Sequence, residues 1–147
     1  MTVTPPAVLV LHNDEREASE LQDLLERNTD CKTSVTWSGL EALKLLQAGH
    51  FDVLVTDDYA PDLYIGDLIE RAASLPSPPR VFLLGGDSSA AVSRYQSLGL
   101  CTILEKQRPR ALLQAITTAL IWKQSRTFAN AKNSKSSPQA SDAGRVN

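Results

Sequence analysis

The chain has 147 residues, 42% of them hydrophobic and 22% charged, with a net charge of −2, a composition typical of one globular domain. No apolar run approaches the about 20 residues of a membrane helix, and no secretory signal opens the chain, so we expect a cytoplasmic protein without membrane contact. Residues 1–122 carry 10 basic and 16 acidic side chains, which argues against direct nucleic-acid binding.

Short apolar strand patterns alternate with amphipathic helix patterns five times along the chain. The strands are predicted at 7–11, 32–37, 51–56, 80–84 and 102–105, and the helices at 15–27, 39–48, 63–75, 88–98 and 109–123. Asp14 with Glu17, and Ser38 with Glu41, have the spacing of helix N-terminal caps. Strands that are apolar on both faces and separated by helices predict an α/β fold, a doubly wound five-stranded parallel sheet with helices on both faces.

The chain divides into three predicted segments: an N-terminal extension at 1–6, the α/β domain at 7–122, and a tail at 123–147. The tail carries 5 basic and 1 acidic side chains and is rich in Ser, Asn and Ala, so it cannot bury enough apolar area to offset its ordering entropy. We expect it to be disordered, either as a solubilising end or as a tether for an acidic partner. Cys31 and Cys101 have no partner at CxxC spacing, and we expect both to be reduced and largely buried.

The residues that follow the strands are the candidates for a site, because ligands of doubly wound sheets bind outside the carboxyl ends of the strands. Asp57 and Asp58 follow the third predicted strand. By strand alternation Asp57 shares one side with Val53 and Val55, so we expect its carboxylate to face the crevice, exposed enough to ionise. Asp58 is expected to face the loop or to cap the next segment.

Four motifs in order, VLVLHNDE, GLEALKLL, FDVLVTDDYAP and ILEK, resemble the receiver domain of bacterial two-component response regulators over about residues 7–122. The resemblance implies a flavodoxin-like strand order of 2-1-3-4-5. It also implies that Asp57 accepts a phosphoryl group and that Lys106 makes a charge contact to that group. An ion pair between Lys106 and Asp57 is the structural alternative for the lysine.

The resemblance further implies a divalent cation, usually Mg²⁺, held by acidic side chains, a backbone carbonyl and waters, an oxygen-rich set that suits a hard cation. In this chain the implied ligands are Asp57, Asp14, Asn13 and the backbone carbonyl of Tyr59. Mg²⁺ and a lysine could offset the negative charge that develops during phosphoryl transfer. Asp14 has an equally weighted alternative as the cap of the first helix.

The implied role is that of a response regulator in phosphorelay signal transduction rather than an enzyme. Its implied partners are a sensor histidine kinase or phosphotransfer protein, and a downstream protein target that is reached in trans. By family analogy the target contacts the fourth helix, the fifth strand and the fifth helix. The sequence does not indicate the oligomeric state.

The chain departs from the family pattern at several site positions. His12 and Asn13 stand where the family has two acids, although a register one residue later aligns Asn13 and Asp14 with that pair. Other departures are Gly85 in place of Thr or Ser, Ile103 in place of Tyr or Phe, and Gln107 in place of proline. These changes leave a second interpretation open, a pseudo-receiver that acts as a phosphorylation-independent protein-interaction module.

Overall fold

The structure of the protein, a computed structural model, describes residues 5–85, 90–105 and 108–121. Its elements are β1 (Ala7–Leu11), α1 (Glu15–Asn28), β2 (Lys32–Thr36), α2 (Gly39–Ala48), β3 (Val53–Asp57), α3 (Ile65–Ala73), β4 (Arg80–Leu84), α4 (Ala90–Ser97), β5 (Thr102–Leu104) and α5, which covers 109–121. The strands form one parallel sheet in the order β2-β1-β3-β4-β5. The predicted fold and strand order are therefore confirmed.

The central strands are buried on both faces, which explains their continuous apolar sequences. Alternate residues of β1 and β3 enter two separate core clusters: Val8, Val10, Val53 and Val55 pack with residues of α1 and α5, whereas Leu9, Leu11 and Leu54 pack with residues of α2 and α3. Because helices cover both faces, the carboxyl edge of the sheet is the place where polar side chains can gather.

Both predicted helix caps form, and the second uses an additional residue. The Asp14 carboxylate accepts hydrogen bonds from the backbone of Arg16 and Glu17 at the start of α1. At the start of α2, the Ser38 hydroxyl accepts from the Glu41 amide. Glu41 does not close the box directly, because its carboxylate accepts from the Thr36 hydroxyl, whose oxygen in turn accepts from the Ser38 amide.

Side chains of neighbouring helices cover backbone groups of both edge strands. On β2, the amide of Thr33 donates to Glu26 at 3.2 Å, and its carbonyl accepts from the Gln22 side chain at 3.2 Å. On β5, the Ile103 amide donates to the side-chain oxygen of Gln96 at 2.8 Å. These contacts satisfy polar groups that an uncovered edge would offer to another strand.

Replacing Gln96 by Ala is expected to weaken the edge of β5. The Ile103 amide would lose its side-chain acceptor, and a hydrogen bond of this kind contributes about 0.5–1.5 kcal/mol to stability. Amide hydrogen exchange followed by NMR should show faster exchange at Ile103, and urea unfolding should show a correspondingly lower free energy. Ser97→Ala, on the same helix, is the control, and an Ile103 amide that exchanges equally slowly in the Gln96 variant would contradict the assignment.

Several element boundaries differ from the predicted ones. β3 begins at Val53 rather than at 51. Asp52 lies just before the strand, and its carboxylate accepts a hydrogen bond from the Ala7 amide at 2.8 Å. The third helix is shorter than predicted, Ile65–Ala73 instead of 63–75. The predicted tail at 123–147 lies outside the described residues.

Two further predictions concern cysteines and membrane contact. Cys31 and Cys101 are buried and free of disulfides, as predicted. None of the helices in the described ranges is long and apolar enough to cross a bilayer.

Candidate functional site at the carboxyl edge of the sheet

Asp57 ends β3, the middle strand of the sheet, and its residue is only 2% exposed. It pairs in register with Leu84 of β4, while the preceding Thr56 pairs with Leu11 of β1. The carboxylate therefore lies at the tip of the sheet between the ends of two neighbouring strands. Asp57 was expected to be exposed enough to ionise, but the residue is almost fully buried, because β3 continues through it and amides of the adjoining loops contact its carboxylate.

Backbone amides from two loops hold the Asp57 carboxylate. One oxygen, Oδ2, accepts from the Asn13 amide after β1 at 3.3 Å, and the other, Oδ1, accepts from the Asp58 amide at 2.9 Å. Hydrogen bonds to an ionised carboxylate are stronger than neutral ones, so they compensate part of the cost of burying its charge. The two amides also fix the orientation of the oxygens.

His12 lies beside this carboxylate and is 5% exposed. Its Nδ1 accepts a hydrogen bond from the Asp14 amide at 3.0 Å, so in the neutral ring the proton is on Nε2. Nδ1 is 3.7 Å from Oδ2 of Asp57, which is too far for a hydrogen bond. An imidazole therefore lies beside Asp57, directly after β1.

Asn13 and Asp14 follow β1, next to His12. Asp14 is exposed, and its carboxylate caps α1; the hydrogen bond from the Glu17 amide, ahead of that from Arg16, lowers the pKa of Asp14. The cap interpretation of Asp14 is thus observed, whereas its role as a metal ligand stays a prediction. The exposed Asn13 joins the site through its amide hydrogen bond to Asp57.

Asp58 does not cap the next helix, because α3 begins at Ile65 with Tyr64 as its N-cap residue and has no side-chain cap. Its carboxylate lies over Gly85 at the end of β4 instead: a Cβ placed on Gly85 would be 3.0 Å from Asp58 Oδ2. Tyr59 is 59% exposed, and the metal-binding role of its carbonyl stays a prediction.

Lys106 lies outside the described residues, as do Gly86 and Gln107. The structure therefore brings together Asp57 and the residues after β1, but the predicted contact of Lys106 is not described. Within the described ranges, no three His, Cys, Asp or Glu side chains form a group that could hold a metal ion.

Asp62 supports the site and was not identified from the sequence. Its carboxylate accepts from the Ser38 hydroxyl at 2.6 Å and from the amides of Gly39 and Leu40 at 2.8 and 3.3 Å. These hydrogen bonds connect the loop after β3 to the N-terminus of α2. No local pattern reveals this contact, because its partners are 22 to 24 residues away in sequence.

Replacing Asp62 by Asn is expected to destabilise the protein in a pH-dependent way. The Ser38 hydroxyl, ahead of the Gly39 amide, lowers the pKa of Asp62 below its usual 3.8. Because the folded-state pKa is depressed, the stabilisation is present above the unfolded-state pKa and is lost as the pH falls through the folded-state value. Urea midpoints of the two proteins should therefore differ most above about pH 5 and converge in acid.

The control for this prediction is Asp30→Asn, which removes an exposed carboxylate elsewhere. A difference between the Asp62 variant and the unmodified protein that stays constant down to the acid limit would contradict the proposed contribution of the ionised carboxylate.

No protein-family model matches this sequence, and no curated protein sequence matches it significantly. Solved structures do match. The receiver domain of the Francisella response regulator 1452 is 25% identical with a TM-score of 0.67, and the match covers 78% of this chain and 95% of that one.

Two other receiver domains are similar in fold. A CheY-like receiver domain from Methanospirillum hungatei is 21% identical over 84% of this chain and 99% of that one, with a TM-score of 0.74. The signal receiver domain of an HD domain-containing protein from Pseudomonas fluorescens is 23% identical over 87% of this chain and 96% of that one, also with a TM-score of 0.74. The strand order and these neighbours agree, and this chain has the fold of CheY-like receiver domains.

Proposed function

We propose that this protein is a receiver in phosphorelay signalling and that Asp57 accepts the phosphoryl group. The observation that carries the proposal is the placement of Asp57 at the tip of the middle strand, with its carboxylate held by the amides of Asn13 and Asp58. A carboxylate in this position is oriented by fixed donors and lies at the edge of the sheet where ligands of this fold class bind.

In the proposed reaction an oxygen of Asp57 attacks the phosphorus of a phosphorylated imidazole on the partner. The O–P bond forms while the N–P bond breaks, and its electron pair returns to the imidazole nitrogen. The backbone amides orient the attacking carboxylate, and Lys106 is proposed to offset the negative charge on the transferring group.

We include Mg²⁺ in the proposal as a weakly bound cation. Oxygen atoms of Asp57, Asn13 and the Tyr59 backbone suit a hard cation. His12 contributes a nitrogen where an acid would favour the ion, and the Asp14 carboxylate would have to leave its cap to take part. Bound Mg²⁺ would supply positive charge beside the transferring group.

The proposed partners are a sensor histidine kinase or phosphotransfer protein as donor and a downstream protein as the target in trans. The proposal contains no enzymatic turnover of a separate substrate and no direct contact with nucleic acid, and it places the protein in the cytoplasm. The acidic balance of residues 1–122 is consistent with a protein partner rather than a nucleic acid.

Incubation of the full chain with acetyl phosphate and Mg²⁺, followed by intact mass spectrometry, tests the proposal. We expect the mass increase of one phosphoryl group and, with beryllofluoride, NMR shifts centred on Asp57 and its neighbours after β1. An unmodified mass and an unchanged spectrum of the folded protein would overturn it.

A pseudo-receiver is the second candidate, and a specific observation favours it. His12 lies 3.7 Å from Asp57, and Gly85 carries no hydroxyl group at the end of β4. In that case a partner protein would bind to the same extent with and without phosphodonor. Binding measurements with a candidate partner in both conditions therefore separate the two functions.

A further inference from the structure

The turn between β1 and α1 is built around the side chain of His12. Its Nδ1 accepts a hydrogen bond at 3.0 Å from the amide of Asp14, two residues further along the chain. Asparagine and aspartate side chains commonly accept from the backbone two residues on in the same way. Because Nδ1 of histidine and Oδ1 of asparagine are both two bonds from Cβ, His12 acts in this turn as an asparagine would.

The turn is fixed on both sides. His12 is buried, and its backbone amide donates to the Thr36 carbonyl at the end of β2 at 3.0 Å. After the turn, the Asp14 carboxylate accepts from the amides of Arg16 and Glu17 at the start of α1. The sheet therefore holds the first residue of the turn, and the helix holds the last.

Asn13 is the middle residue of this turn, and its amide donates to Oδ2 of Asp57 at 3.3 Å. The direction of a backbone amide is set by the dihedral angles beside it, which the hydrogen bond across the turn restrains. The distance is at the long end for a hydrogen bond of this type, so a small change in the turn would break it. The contact between the turn and Asp57 therefore depends on the acceptor that His12 supplies.

We propose that His12 is a positioning residue of this site, because its Nδ1 sets the turn that aims the Asn13 amide at Asp57. The inference rests on the proposed function, since it concerns the carboxylate that accepts the phosphoryl group. The Asn13 amide orients one oxygen of that carboxylate, and the Asp58 amide orients the other. A reacting group that is oriented in this way attacks from one geometry, and misplacing it lowers the rate.

Two substitutions of His12 separate the acceptor from the bulk of the ring. His12→Asn keeps an acceptor two bonds from Cβ, whereas His12→Leu fills part of the same buried space without an acceptor. His50→Leu is the matched control, because it removes the other histidine of the chain, at an exposed position before β3. Near-ultraviolet circular dichroism checks the folding of each variant.

Amide hydrogen exchange of the full chain, followed by NMR, reports the Asn13 contact without any phosphodonor. Asp57→Ala removes the acceptor and should speed exchange of the Asn13 amide about tenfold, as for the loss of one hydrogen bond. His12→Leu should speed it by the same factor, and the double variant by no more, because both changes break one contact. In His12→Asn and His50→Leu this exchange should stay slow.

Two exchange results would overturn the inference. One is an Asn13 amide that exchanges equally slowly in His12→Leu and in the unmodified protein. The other is an Asn13 amide that exchanges as fast in His12→Asn as in His12→Leu, which would show that the acceptor is not what the turn requires.

Initial rates with acetyl phosphate and Mg²⁺, measured by intact mass spectrometry, test the consequence for the reaction. The Asp57 oxygen forms the new O–P bond, and acetate leaves with the electron pair of the broken bond. We expect His12→Leu to be about tenfold slower than the unmodified protein, because its carboxylate loses one of two orienting donors. His12→Asn should recover most of the rate, and His50→Leu should leave it unchanged.

The outcomes distinguish this inference from the proposed function. Phosphorylation of the unmodified protein and of His12→Leu at equal rates would overturn the inference and leave the function standing. If no protein is phosphorylated although the exchange results are as expected, the proposed function is wrong, and the role of His12 in placing the Asn13 amide is supported.

Discussion

Replacing Asp57 by Asn is expected to abolish phosphorylation by acetyl phosphate. The amide can still accept a hydrogen bond from the Asp58 backbone, but it offers no carboxylate oxygen to attack phosphorus. Loss of the attacking group typically lowers the rate by about a thousandfold or more, which would leave no detectable mass increase. Intact mass spectrometry of both proteins after equal incubation, with circular dichroism as the check on folding, gives the result directly.

Asp23→Asn is the matched control for this prediction, because it removes one exposed carboxylate from α1. It should be phosphorylated like the unmodified protein. A mass increase that persists in the Asp57 variant would assign the phosphoryl group to another side chain, and peptide mapping of that variant would locate it.

The order of the elements could be predicted because each strand and helix has a pattern of its own. The apolar runs of β1 and β3 differ clearly from the helical spacing of α1, and the caps at Asp14 and Ser38 mark where two helices begin. The strand order came from the resemblance of the motifs to receiver domains. Boundaries were less accurate where a long-range contact fixes them, as at Asp52, whose partner Ala7 is 45 residues away.

The position of Asp57 could be predicted for a related reason. It follows an apolar strand, and the carboxyl ends of parallel strands meet at one edge. The burial of Asp57 could not be predicted from the sequence. The amides of Asn13 and Asp58 that donate to its oxygens belong to loops without regular patterns. The place of Asp58 over Gly85 depends on two positions 27 apart in sequence, and no local pattern connects them.

Two of the departures from the receiver pattern, His12 and Gly85, lie at the same edge of the sheet. His12 and Gly85 flank Asp57 from β1 and β4, the two strands that pair with β3. One substitution brings an imidazole 3.7 Å from the carboxylate, and the other admits the side chain of Asp58. Both residues follow strands next to β3, while the sheet keeps the order β2-β1-β3-β4-β5.

Gly39→Ala is expected to destabilise the protein although alanine is the better helix former. Gly39 is the first residue of α2, where alanine would gain up to about 1 kcal/mol from helix propensity. A Cβ there would lie 2.7 Å from Cβ of Leu63 and 3.3 Å from Cβ of Ala60, so the loop after β3 would have to move. Overpacking of this kind costs about 1–3 kcal/mol, which exceeds the gain from propensity. We therefore expect urea unfolding to show a lower free energy of unfolding for the variant.

Gly49→Ala provides the control at the other end of the same helix, because a Cβ there would meet only the Leu45 carbonyl oxygen at 3.7 Å and Phe51 at 4.0 Å. It should change the free energy of unfolding by less than about 0.5 kcal/mol, as for most substitutions without a specific contact. A Gly39 variant as stable as the Gly49 variant would mean that the loop yields without cost. The loop between β3 and α3 would then be held by the Asp62 hydrogen bonds rather than by close packing against α2.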